Sequence, residues 1–307
     1  MEIPITQTKE WKKLQDDLNE ISFFETGNDY QFLAILKKTP VGNYLYLPYG
    51  PIAKTETGFK SALNALKILA KKENAIFIRI EPQNPETKQF FPKNTKKTKD
   101  LNPKETWILD LTPSVDEIYQ NMKQNTRNLA RNYSKKGLKV LKTTAPEKID
   151  HLVKLQHKLA KERHIGVFSK DYLKAELEQP FASLYLVEYP ADSGQIIAAS
   201  LFFDYQDTRY YMQSASDSDY KKLPATIALL NEAIFDAKEK GIKYFDFWGI
   251  APENAPKNHP WAGFTSFKKS FGGEPKTYAG TYDLILKPAK YKLYEATRKL
   301  NRLLRKN

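Results

Sequence analysis

The chain of 307 residues contains no cysteine. Disulfide staples, thiolate metal ligands and thiol nucleophiles are therefore excluded. Histidine is scarce, with four scattered copies that lack metal-ligand spacing. No apolar run approaches the roughly 20 residues that span a bilayer. The opening MEIPITQTKEW lacks the apolar core of a secretory signal. These absences predict a soluble, cytoplasmic protein that needs neither a metal nor a cofactor.

Positive charge, by contrast, is abundant: 49 Lys and Arg oppose 36 Asp and Glu, for a formal charge of +13. Such an excess draws polyanions and speeds their encounter. Nucleic acid, phosphate-bearing substrates and anionic lipid all qualify. Hydrophobic residues at 41% and aromatics at 13% suit a packed globular core.

The chain repeats itself at an offset of 167 residues. Ile76-Phe77-Ile78-Arg79-Ile80 then falls on Lys243-Tyr244-Phe245-Asp246-Phe247, Ala34-Ile35 on Leu201-Phe202, and Tyr44 on Tyr211. Each copy reads strand, turn, strand, loop, amphipathic helix, alternating strand. The helices are expected over Phe59 to Lys71 and Pro224 to Lys240, with apolar residues at 3–4 spacing. Two such copies predict an α/β (α+β) chain of two similar domains. Thr112-Pro113-Ser114 marks one boundary and Gly280-Thr281 the other. The first domain is thus expected over 1–112 plus 281–307, and the second over 113–280.

Between the copies, Ser114-Val115-Asp116-Glu117 carries a capping signal for one long helix. Lys123, Arg127 and Arg131 form a basic stripe on it, which fits a tRNA-binding face or a solvated one. Residues 92–99 read as a flexible basic loop. At the end of the chain, Leu293, Ala296, Leu300 and Leu304 make an apolar stripe on a helix rich in Lys and Arg (Lys292, Arg298, Lys299, Arg302, Arg305 and Lys306). Such a helix can dock on the core, or meet tRNA phosphate or a membrane surface peripherally.

The densest information lies between Gly241 and Gly280. The strand Tyr244-Phe245-Asp246-Phe247-Trp248 stops at Gly249, and a Pro/Asn-rich loop leads to Phe264-Thr265-Ser266-Phe267-Lys268-Lys269-Ser270-Phe271-Gly272-Gly273. Ligands of open α/β sheets bind just past such strand ends. This stretch and the strand Tyr282-Asp283-Leu284-Ile285-Leu286 resemble the FemABX family of non-ribosomal peptidyltransferases. Further matching patches run in family order, among them Gln7-Thr8-Lys9-Glu10-Trp11, Leu47-Pro48-Tyr49-Gly50-Pro51, Arg79-Ile80-Glu81-Pro82 and Glu162-Arg163.

The resemblance implies two GNAT-like acetyltransferase-fold domains facing a cleft. It also implies transfer of an amino acid from aminoacyl-tRNA to the stem peptide of a peptidoglycan precursor, either UDP-MurNAc-pentapeptide or lipid II. No long helical arm is inserted after Tyr211, so the compact members are the closer match, and a monomer is expected. Lys268 is implied as the group that assists transfer, with Glu81 as a carboxylate of the site. Lys12 or Lys13, Arg163, Tyr211 and Phe267 are implied at the acceptor. Where that Glu-Arg pattern carries a preceding Thr in the family, Ala160-Lys161 stands here.

Two other readings use the same residues. An N-acyltransferase with another donor would need a pyrophosphate cradle, which GNAT enzymes build from glycine-rich backbone at a helix start. Tyr220-Lys221-Lys222-Leu223-Pro224 and Gly50-Pro51-Ile52-Ala53-Lys54 are not glycine-rich, and proline removes a donor. A non-catalytic RNA-binding module would keep the fold and the charge alone.

Overall fold

The computed structural model describes residues 3–163 and 165–304, with side chains omitted from 302 onward. It divides into two units. The first runs through Lys104 and resumes at Thr277, and the second spans Glu105–Lys276.

In unit 1, numbering elements along the whole chain, α1 is Lys9–Asp17, β1 Ser22–Thr26, β2 Tyr30–Lys37, β3 Asn43–Leu47 and β4 Ile52–Ala53. These are followed by α2 (Glu56–Lys72), β5 (Ala75–Ile80), β6 (Thr95–Lys97), β14 (Tyr282–Ile285) and α9 (Pro288–Leu304). The sheet order is β1-β2-β3-β5-β14-β6, with β4 paired to β2. Helix α2 forms because Thr55 caps it, its hydroxyl accepting from Gly58 N at 2.9 Å. Phe59, Ala62, Leu63, Leu66 and Ala70 then recur on one buried face, against Phe32, Leu45 and Ile78 of the sheet. The opposite face packs Ile76 and Phe77 against Tyr291 and Tyr294 of α9.

Unit 2 begins with β7 (Glu105–Asp110), α3 (Val115–Asn121), α4 (Gln124–Asn132), β8 (Lys139–Thr143), α5 (Ile149–Arg163), α6 (Lys170–Leu177) and β9 (Ala182–Glu188). It continues through β10 (Ile196–Tyr205), β11 (Thr208–Ser216), α7 (Ala225–Glu239), β12 (Tyr244–Gly249), α8 (Ala262–Lys269) and β13 (Glu274–Thr277). The strand order is β13-β7-β12-β11-β10-β9-β8. The repeat is visible in the pairings. In each unit an antiparallel pair, β2–β3 or β10–β11, is followed by a helix and then by a strand parallel to the second member.

The expected boundaries shift. Strand β7 pairs antiparallel with β12, Phe245 opposite Leu109, so the chain enters unit 2 at Glu105 rather than after Thr112. It returns at Thr277, ahead of Gly280. Each unit therefore receives the antiparallel neighbour of its parallel pair from the other half of the repeat: β7 follows the first copy but joins β12, while β14 follows the second but joins β5.

Three local expectations also change. The long helix from Ser114 is two helices, because Met122 and Lys123 are extended (ψ 147° and 140°) and Lys123 N donates to Ser270 O at 2.9 Å. The capping box at Ser114 and Glu117 is present. Residues 92–99 are not a free loop, since β6 adds an edge strand with Thr95 opposite Leu284. In α9 the buried face is Tyr291 and Tyr294, while Leu293 and Leu300 of the expected apolar stripe are 55% and 56% exposed. Arg305 and Lys306 lie outside the described residues, as do the side chains of Arg302 and Leu304.

Candidate functional site

The end of β12 departs from regular pairing. The register between β12 and β7 slips between Asp246 and Gly249, and Trp248 adopts a positive φ of 64°. Non-glycine residues in that region are uncommon and cluster where a structure holds a special geometry. Here Asp246 Oδ1 accepts from Trp248 N at 2.7 Å and also from the Thr106 hydroxyl. The carboxyl is buried, and desolvation pushes it up to about 6 against those two hydrogen bonds.

Helix α8 is secured against this strand end. Ala251 N donates to Thr265 Oγ1 at 2.8 Å, and that hydroxyl donates to Trp261 O. At the other end Ser270 receives Thr126 Oγ1 at 2.9 Å and the Lys123 amide. The two glycines that follow serve close packing. A Cβ on Gly273, at φ +93°, would stand 2.2 Å from Ile108 O, and one on Gly272 3.1 Å from Asn121 O. Trp107 Nε1 donates to Gly272 O at 2.6 Å.

This framework distinguishes the two adjacent lysines. Lys269 is exposed, its ammonium 5.0 Å above the Trp107 ring. Lys268 points inward and donates from Nζ to Gly249 O at 2.6 Å. Burial pulls its pKa down to about 8, with Asp246 the opposing influence. No ion pair to a carboxylate holds Lys268 among the described residues. A desolvated ammonium on a backbone carbonyl is available to another acceptor.

Phe267, one residue before, is half-buried and walls a groove of about 350 Å³ with Leu129, Tyr220, Lys221, Lys222 and Pro224. The groove opens at the start of α7. Pro224 has no amide to give, and the amides of Tyr220, Lys221 and Leu223 are bonded within the preceding turn.

The remaining expected site residues are distributed as follows. Glu81 belongs to unit 1 and is buried. Its carboxylate accepts from Thr281 Oγ1 at 2.6 Å, Asn102 Nδ2 at 2.8 Å, Tyr46 OH at 2.9 Å and the amides of Leu101 and Asn102. Five donors saturate it, which suits an anchor for the 100–102 turn and leaves little for proton transfer. Lys12 is paired with Asp16 at 2.7 Å, whereas Lys13 is exposed and has no ion-pair partner among the described residues. Arg163 is exposed, likewise without a pair among them. Tyr211 donates to Ser214 Oγ at 2.7 Å and stacks on Phe202, a wall of the core.

Of the basic stripe, Arg131 reaches Asp116 at 3.2 Å and lies over Tyr119, and Arg127 turns to the carbonyl of Gln120. Both brace α4 on α3; Lys123 and Arg131 are exposed, and Lys123 alone of the three has no ion pair or side-chain hydrogen bond among the described residues. Unit 2 thus brings together Lys268, Phe267 and the Lys123 backbone. Sequence reasoning missed Asp246, Thr106 and the Gly249 carbonyl. An acidic residue within an otherwise aromatic strand was the available signal.

Residues 176–299 match the FemAB family model. The match covers about two fifths of the 307 residues. Among curated proteins none matches the chain. Among solved structures, this chain resembles the crystal structure of FemX at 17% identity and a TM-score of 0.81, covering 94% of each chain. It also resembles the C-terminal domain of a putative lysylphosphatidylglycerol synthetase from Agrobacterium fabrum (13% identity, TM-score 0.65, 95% of this chain and 92% of that one). A tandem GNAT protein from the clavulanic acid biosynthesis pathway is similar at 12% identity and TM-score 0.53, over 84% of this chain and 80% of that one. At these identities the likeness is one of fold: two GNAT-like domains of mixed α/β structure.

Proposed function

We propose that this chain transfers an amino acid from aminoacyl-tRNA to an amine of a peptidoglycan-precursor stem peptide, UDP-linked or lipid-linked. The carrying observation is Lys268, a half-buried ammonium held on the Gly249 carbonyl, its pKa pulled down to about 8 by desolvation. In the reaction the acceptor nitrogen attacks the ester carbonyl. The C–N bond forms, the C–O bond to the ribose breaks, and the ribose hydroxyl leaves with the proton the amine gives up. The carbonyl oxygen becomes an oxyanion in between, and a preorganised cation in a dry site stabilises that charge strongly. An ordinary acceptor amine with pKa near 10.4 needs roughly 4–5 kcal/mol to reach its free form at pH 7. The protein's contribution is then positioning and charge rather than donor activation.

Within this reading the groove beside Phe267 takes the end of the donor, with Lys221 and Lys222 near its phosphates. Of the cations expected at the acceptor, Lys13 in unit 1 and Arg163 in unit 2 carry no ion pair among the described residues, whereas Lys12 is already paired. Glu81 acts as a positioning residue. Tyr211 supports the core beneath the site through Phe202, and Lys123 is the member of its stripe free to meet tRNA. The protein works as a monomer on the cytoplasmic side of the membrane.

An acyl-CoA donor is the second reading. Against it stand the proline at the start of α7 and the bonded amides before it. Incubation with charged tRNA or acetyl-CoA as sole donor, each with a UDP-linked acceptor, separates the two by mass spectrometry. The proposal expects ribonuclease-sensitive product with charged tRNA alone. Ribonuclease-resistant transfer from acetyl-CoA overturns it. An RNA-binding module would bind tRNA and form no product.

A further inference from the structure

Helix α9 carries Leu293 and Leu300 on its outside. It is anchored to unit 1 by Tyr291 and Tyr294, whose rings lie 5.2 and 4.9 Å from that of Phe77. Leu293 and Leu300 are seven positions apart, two turns along one side, and both are more than half exposed. Ala296 lies between them, also exposed. Lys290, Lys292 and Lys299 flank this stripe, exposed and without an ion pair among the described residues. A core-packing helix buries its leucines and leaves its tyrosine hydroxyls at the rim. Here the arrangement is reversed.

The surface beside the helix is also cationic. A groove of about 690 Å³ is lined by Lys38, Lys99, Arg298 and Lys299. The acids in it are already engaged: Asp283 by Arg79 at 2.7 Å, and Glu295 by Lys96 at 2.5 Å. None of the four cations has an ion-pair partner among the described residues.

We propose that the outer face of α9 docks on an anionic lipid bilayer. The leucines enter the boundary between headgroups and acyl chains, and the lysines and the neighbouring groove meet lipid phosphates. Charge complementarity selects this occupant. RNA would use the cations but leave Leu293 and Leu300 in water, and an apolar protein partner would leave the surrounding cations unpaired. Two leucines alone give weak insertion, so binding requires anionic lipid as well. The inference is independent of the transfer chemistry, because no donor or acceptor takes part in the test.

The test is co-sedimentation of the full chain with vesicles of phosphatidylcholine alone or of phosphatidylcholine mixed with phosphatidylglycerol. The proposal expects binding to the mixed vesicles only, weakened by added salt. The double variant Leu293→Asp, Leu300→Asp should lose partitioning by about ten-fold or more. Ile68→Asp on α2, which is 73% exposed in the same unit, should leave it unchanged. Equal binding by the leucine variant, or an equal loss with Ile68→Asp, overturns the proposal. A wild-type dimer that the leucine variant converts to monomer also overturns it, by making the stripe an interface between copies.

Discussion

Arg79 and Asp283, 204 positions apart in the chain, meet as a buried bidentate pair: Nε to Oδ1 at 2.7 Å and Nη2 to Oδ2 at 2.8 Å. Tyr291 OH donates to the same carboxylate at 2.8 Å. The pair joins β5 to β14, the strand that returns to unit 1 after the whole of unit 2 has been traced.

Removing one partner should therefore be severe. Asp283→Ala leaves a guanidinium buried without its counter-charge and should destabilise the protein by about 3–5 kcal/mol. Arg79→Met combined with Asp283→Leu should recover much of that loss, since replacing a buried pair with apolar groups is often near neutral. Denaturant unfolding of the three variants checks both statements.

Glu176 gives a pH signature. It is completely buried, and desolvation raises it to about 8; the nearby Tyr172 hydroxyl offsets this only in part, and neither carboxyl oxygen has a well-formed hydrogen bond. Its folded pKa lies above the unfolded value, so the native state holds the proton longer. Stability should fall as pH rises from about 4.5 toward 8. Glu176→Gln should raise the melting temperature more at pH 8 than at pH 5, read by thermal denaturation across that range.

The paired glycines make a structural prediction. Gly273→Ala sets a Cβ against Ile108 O at a positive φ and should cost at least about 2 kcal/mol. Gly263→Ala meets nothing within 4 Å and lies in α8, so it should be neutral or stabilise by up to about 1 kcal/mol. Melting curves of the two variants compare them directly.

Much of the fold was legible because the repeat is written in local patterns. Phe59, Leu63 and Leu66 mark α2 at helical spacing, and Tyr244 to Trp248 alternate as a strand should. The exchange of β7 and β14 was not legible, because strand partners depend on contacts far apart in sequence. Trp107-Ile108-Leu109 reads equally well as an edge of either sheet. The break at Met122 was hidden because its cause is Ser270, nearly 150 positions away. The Leu293 stripe misled for a simple reason: tyrosines buried on the other side of α9 do the anchoring that leucines usually do. At the site, the segment around Lys268 could be read, but which of two adjacent lysines turns inward depended on Trp107 holding Lys269 outside.

If Lys268 works as an ammonium, activity should follow its charge. Once the acceptor amine's own ionisation is accounted for, the transfer rate should decline as pH rises through about 8, where the lysine loses its proton. Lys268→Arg, charged throughout, should lack that decline even if slower overall. A pH–rate profile of both proteins under single-turnover conditions tests this.

The most direct measurement is the single-turnover transfer rate of Lys268→Ala beside Lys269→Ala, with charged tRNA as donor and a UDP-linked precursor as acceptor. Losing one group that stabilises an oxyanion typically lowers the rate by about 10²–10³-fold. The account predicts that loss for Lys268→Ala, with folding and acceptor binding retained, and a change of no more than a few-fold for Lys269→Ala. A folded Lys268→Ala protein that transfers within a few-fold of the wild-type rate would contradict it.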